Sequence, residues 1–195
     1  MIPYTAIRAI LLMLAAVSLY GCGERHDYTP VPLPYGYQRI EIYPAEYSDA
    51  DSLPASYAVN ASAQVRRLPD GPGGSVMADI DYPAYGATLH LTFTPVDSIT
   101  AAEVIANRRE RMALNLADNY ATVSEVGPND RTPFVSTVMM SAGRTPTPVQ
   151  ILSVGPDMVI SGAVRFASEQ ADADSLMPVL KAITADIEYA ASNLH

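Results

Sequence analysis

With a single cysteine in 195 residues, this chain cannot close an internal disulfide, and its three histidines have no second thiol to complete a soft metal site. Tryptophan is absent, and lysine occurs once, at Lys181. Acidic residues outnumber basic ones 21 to 12, for a net charge of −9. A domain of that sign repels phosphate backbones and anionic surfaces, which excludes nucleic-acid recognition through a basic patch. Catalytic signatures are missing too: the chain has no G-x-S-x-G, no H-E-x-x-H, no Walker loop and no G-x-G-x-x-G. No motif asks for a cofactor or a metal ion. Lacking a disulfide, the fold must rest on packing even in an oxidising compartment.

What is present begins at the amino terminus. Arg8 precedes an apolar run from Ala9 to Val17, and no acidic residue occurs before Glu24. That run is too short for a membrane-spanning helix, which needs about 20 residues, and it has the layout of an export signal. Leu19-Tyr20-Gly21-Cys22 then resembles a lipobox, so residues 1–21 read as a lipoprotein signal peptide. Cys22 is the expected lipidation site, because bacterial lipoproteins are cut before this cysteine and acylated on it. Two or three acyl chains anchor stably where one binds only marginally. Residues 22–34 contain three prolines and almost no periodicity, the composition of an extended linker. A single domain is expected over 35–195.

Within that domain, residues 37–43 alternate polar and apolar side chains around Ile40 and Ile42, a half-buried strand pattern that Pro44 stops. A weaker strand is expected at 57–65, then a Gly/Pro turn at 68–74. Residues 76–82 and 87–93 flank Pro83-Ala84-Tyr85-Gly86 as an antiparallel hairpin. Ala87, Leu89, Leu91 and Phe93 fall on its core face, and Thr88, His90, Thr92 and Thr94 on the other. Thr100 and Glu103 have the spacing of a capping box, and the helix they open carries its stripe through Ala101, Ile105, Met112, Leu116 and Tyr120. Strands follow at 134–141, 149–154 and 158–166, the last two joined by Gly155-Pro156-Asp157. A second helix starts at Asp174 or Ser175, with Pro178 tolerated in its first turn. Its stripe is Leu176, Leu180, Ile183, Ile187, Ala190 and Leu194, while Lys181, Asp186 and Glu188 fall off it. Short strand-to-strand links make the fold class α+β, a mainly antiparallel sheet packed with two helices.

Few residues qualify for chemistry. His90 alone among the histidines sits in an expected element, and a general base would need an orienting partner and a nucleophile beside it. Asp79 and Asp81 share a strand face; a Ca²⁺ site needs six or more oxygens, so a solvated face is the favoured reading. Arg108, Arg109 and Arg111 are candidates to receive a carboxylate or anionic envelope component, against a solvated helix face paired with Glu103 and Glu110. Tyr82 and Tyr85 offer either an exposed recognition edge or core and turn packing, with packing favoured.

Four stretches in order carry a likeness to one family: "PYGYQRIEIYPAEY" (34–47), "ADIDYPAYGATLHLTF" (78–93), "ISGAVRF" (160–166) and "DSLMPVLKAITADIEYAASNL" (174–194). Behind a lipobox, they make the chain resemble the GldD family of gliding-motility lipoproteins of Bacteroidota. The resemblance implies a non-enzymatic cell-envelope accessory protein, associated in gliding relatives with motility and type IX secretion machinery. Its implied partners are the membrane, through the lipid anchor, and an envelope protein complex; it brings no catalytic residues. The implied location is the outer membrane facing the periplasm, with surface display as the alternative. The strand–helix order is also similar to the Mog1/PsbP-like α/β/α sandwich, a likeness of fold alone. An envelope-acting hydrolase and a glycan- or peptide-binding surface module stand as the competing functions.

Overall fold

The computed structural model of the protein describes residues 41–116, 121–141, 145–167 and 173–195. The expected signal peptide, Cys22, the linker and Tyr120 lie outside the described residues. Among the described residues nine strands and two α-helices follow one another: β1 Tyr47–Asp49, β2 Ala58–Asn60, β3 Gln64–Arg67, β4 Val76–Tyr82, β5 Ala87–Pro95, α1 Ala101–Leu116, β6 Ala121–Val126, β7 Val135–Ser141, β8 Val149–Val154, β9 Met158–Phe166 and α2 Ala173–Ser192. The fold is α+β, as the sequence pattern implies. β1 and β2 form a small antiparallel pair, and the other seven strands form one antiparallel sheet in the order β3-β4-β5-β9-β8-β7-β6.

That order follows from one long connection. α1 carries the chain from β5 to the far edge at β6, and three successive hairpins then walk back until β9 pairs with β5. α1 packs over β8 and β9, where Met112, Leu152 and Val159 are buried together. α2 packs against β6, β7, β8 and β2. It closes the larger core, in which Ile183, Ile187 and Leu194 meet Leu89, Leu91, Val138, Ile151 and Val164. The period-two burial of β5 is as expected, with Ala87, Leu89, Leu91 and Phe93 all buried. At Gly162, in the middle of β9, an added Cβ would stand 2.6 Å from Leu91 Cδ2 and 2.9 Å from the His90 carbonyl oxygen, so β9 and β5 pack too closely there for any side chain.

Four expectations need correction. Glu41–Tyr43, the described part of the strand expected at 37–43, is not strand, and Ile42 is half exposed. Tyr43 is claimed by the β4–β5 turn instead: its N–H donates to Tyr85 Oη at 2.7 Å, its own Oη accepts from the Ala84 N–H at 2.9 Å, and the two rings stack at 4.5 Å. The strand expected at 57–65 is broken into β2 and β3 by a turn in which Asn60 Oδ1 accepts the Ser62 N–H. The helix cap centres on Asp97, whose Oδ1 accepts from the N–H groups of Ile99 and Thr100 and from the Thr100 hydroxyl. These hydrogen bonds, led by that from the Thr100 N–H, hold the Asp97 pKa below the usual carboxylate value. The fourth is β6, which the sequence pattern does not announce at all.

The carboxyl end of α1 is tied down by the sheet. Buried Gln150 donates to the Met112 carbonyl at 3.2 Å and accepts from Asn115 Nδ2, and the Thr145 hydroxyl donates to the Asn115 carbonyl. The Asn115 carbonyl, which has no partner inside the helix, is thus satisfied by a side chain from outside it.

Candidate functional site

The half of the sheet that α1 leaves uncovered carries a row of polar groups set by strand register. Arg66 stands opposite Asp79, and Asp79 opposite His90; in the next row Gln64, Asp81, Thr88 and Arg165 line up across four strands. Asp79 is the hub. One carboxylate oxygen meets Arg66 Nη2 at 2.6 Å and the other meets His90 Nδ1 at 2.7 Å, while its side chain is only 5% exposed. Such charge-assisted pairs are what permit a carboxylate to be buried. The solvated face expected for Asp79 is therefore wrong: the strand pattern showed which way it points but not that Arg66 and His90 would cover it. Asp81, more open, accepts from the Thr88 hydroxyl at 2.7 Å.

Chemically, this row supplies His90 with the orienting carboxylate that the sequence reading asked for. The Thr88 hydroxyl is given to Asp81, so it is not directed at the imidazole. Among the described residues no three His, Cys, Asp or Glu side chains gather as a metal site.

The other sequence candidates are dispersed. Tyr82 and Tyr85 are both buried, with their rings stacked on each other and on Tyr43. Burial is the first cause of the raised pKa of each. As candidates for an exposed edge they are therefore turn and core packing. Arg108 turns back over the sheet, its Nη2 3.4 Å from Thr94 Oγ1 and its Nε buried without a partner. Desolvation, with the nearby Arg111 charge behind it, lowers its pKa. Arg109 and Arg111 are exposed, and neither Glu103 nor Glu110 lies within 4.0 Å of any of the three as an ion pair. The local pairing expected for this helix face is absent.

Sequence reasoning missed a groove of about 560 Å³ between β1 and the end of α2. Tyr47 and Tyr189 stack there at 3.9 Å with 14° between their planes, and Tyr189 stays 42% exposed. Asp49, Arg131, Asn193 and His195 are among the other lining residues. An open aromatic face ringed by donors and acceptors can hold a sugar ring or a peptide. The spacing between residues 47 and 189 hides it from any local pattern.

Beneath that groove lies Asp186, placed off the apolar stripe by the sequence yet buried. The Tyr47 hydroxyl donates to its Oδ1 at 2.8 Å, and Asn60 Nδ2 approaches the same oxygen at 3.4 Å. Desolvation raises the Asp186 pKa above the usual carboxylate value, and the Tyr47 and Asn60 bonds oppose that rise. Tyr47 is pushed up to about 12, by burial first and then by Asp186. A carboxyl with its folded pKa above its unfolded one contributes stability below the unfolded value and loses it as pH rises through the folded one. Asp186→Asn removes the charge and keeps an acceptor for Tyr47. The variant is expected to gain on the parent in denaturant resistance between pH 4 and pH 7. A gap that does not change over that range, measured by urea unfolding at each pH, contradicts the assignment.

Taken together, a mainly antiparallel sheet flanked by two helices, with Asp79 tied to Arg66 and His90 and Asp81 to Thr88 on its open half, defines the class: an α+β domain. The family model described as gliding motility lipoprotein GldD matches residues 27–194, and the chain belongs to that family. No curated protein matches the chain.

Proposed function

We infer that this protein is a lipid-anchored, non-enzymatic accessory domain that docks onto a protein complex of the cell envelope, at the outer membrane facing the periplasm. Membership of the gliding-motility lipoprotein family is the observation that carries the reading. The only thiol lies in a lipobox-like context directly after an apolar run, and no helix among the described residues is long and apolar enough to cross a membrane. The way Arg66 and Thr88 occupy the carboxylates around His90 favours a structural use of that row. Gly23 after Cys22 gives no Asp signal for inner-membrane retention.

Cys22→Ala is expected to move essentially all of the protein out of the membrane fraction, as precursor or soluble chain, and to abolish labelling by a fatty-acid analogue. Parent protein that stays unlabelled and soluble refutes the anchor. Crosslinking in intact cells tests docking: one recurrent envelope partner is the expected outcome. Rapid loss of the domain to external protease would place it on the cell surface instead.

A further inference from the structure

The two edges of the large sheet are unlike. β3 is four residues long and carries Arg66 and Arg67, both engaged with acidic neighbours, the usual means of blunting an edge. β6 is six residues long, has no proline and no basic residue, and holds one charge, Glu125. Its inner side pairs with β7; its outer side meets no strand among the described residues. On the α1 face Val123 is 54% exposed, and Val135 of the next strand 47%. On the α2 face a groove of about 220 Å³ opens at the edge, between Thr122 and Ser124 of β6 and Lys181, Thr184, Ala185 and Glu188 of α2. The Thr184 hydroxyl is buried there without a hydrogen-bond partner.

We propose that β6 is a self-pairing edge, through which two copies of this chain join antiparallel about a two-fold axis at Val123 and extend one sheet across both. A row of free backbone N–H and C=O groups recognises an extended strand and nothing else so well. Side chains directly opposite must lie on the same sheet face, which restricts the symmetric registers. With Val123 on the axis, Val123 meets Val123, Thr122 meets Ser124, and the one charge, Glu125, meets Ala121. No like charges oppose each other, and a β-branched pair occupies the centre. The α2 side agrees. Thr122 and Ser124 flank the axis, and Thr184 and Ala185 flank the middle of the helix segment bordering the groove, with Lys181 at one end and Glu188 at the other. A two-fold at Val123 reverses that order, so Lys181 of each copy faces the end that carries Glu188 of the other. An edge of six residues with two shallow flanks lies near the lower limit of stable interfaces, about 1,200 Å², so the dimer is reversible. An isologous contact of this kind closes at two copies rather than growing into fibres.

The test uses the full-length chain in its membrane and in detergent. Val123→Cys places two thiols across the axis at a Cα separation of about 4.5–5.5 Å, within disulfide reach. It is expected to give a disulfide-linked dimer on mild oxidation, whereas Glu125→Cys, displaced from the axis on the same strand, gives little. In detergent the parent mass is expected to rise with concentration, Val123→Thr to behave like the parent, and Val123→Lys to remain a monomer with an unchanged unfolding midpoint. A parent mass of one copy at every concentration overturns the proposal, as does equal crosslinking at 123 and 125. Val123→Cys trapping a different protein in place of a second copy also overturns it, and would make β6 a receptor for another chain's strand.

Discussion

Ile183→Ala is expected to cost about 2–5 kcal/mol, the range for truncating a fully buried aliphatic side chain. Ile183 has no exposed surface and sits midway along α2, with Leu180 and Ile187 buried on either side of it. The α2 stripe meets the sheet core of Leu89, Leu91, Ile151 and Val164, so the removed atoms leave a cavity bounded on both sides. Against a total of about 5–15 kcal/mol for a domain, that loss is a large share. Urea unfolding should show a midpoint lower by about 1 M or more, given slopes of about 1–3 kcal/mol per M for small proteins. An unchanged midpoint with lost capture of a partner would instead make the stripe a docking face, contrary to its burial.

That helix was legible because six apolar positions at helical spacing leave little choice of face. The β4–β5 hairpin was legible for a similar reason, since strict alternation in Ala87–Phe93 and a Pro–Gly turn specify register together. Legibility stopped where a side chain's state depends on a distant partner. Asp186 reads only as an off-stripe residue, but Tyr47 and Asn60 reach it from 139 and 126 positions away. Asp79 reads as half of an exposed acidic pair, yet Arg66 and His90 converge on it across two strand pairings. β6 was missed because an edge strand with Thr, Ser and Glu among three small or branched apolar residues has no clean period. Tyr43 was misread for the opposite reason: its neighbours alternate well, but its ring belongs to the Tyr82–Tyr85 stack.

Phe93→Ala is expected to have the largest effect of any single truncation, about 3–5 kcal/mol. Phe93 is fully buried on central strand β5, between Val76 on β4 and Ile160 on β9 in the strand register. Its ring meets Tyr57 edge-on, with centroids 6.4 Å apart and planes at 84°, a geometry worth about 0.5–1.5 kcal/mol beyond the buried area. Tyr57 brings the opposite situation to the same contact. Its hydroxyl is buried with no hydrogen-bond partner, and burial, followed by the Asp186 charge, holds its pKa well above the ordinary tyrosine value. An unpaired buried hydroxyl costs about 1–3 kcal/mol of desolvation, so Tyr57→Phe keeps the ring contact and removes a liability. The variant should be as stable as the parent or more so. In the Tyr57→Phe background, Phe93→Ala should still lose its full 3–5 kcal/mol, because the edge-on contact is between rings. Denaturation of the parent, both single variants and the double variant measures all three effects. A destabilised Tyr57→Phe would reveal a hydrogen bond to that hydroxyl, and a loss of under about 2 kcal/mol for Phe93→Ala would mean that the β5 core closes over the missing ring.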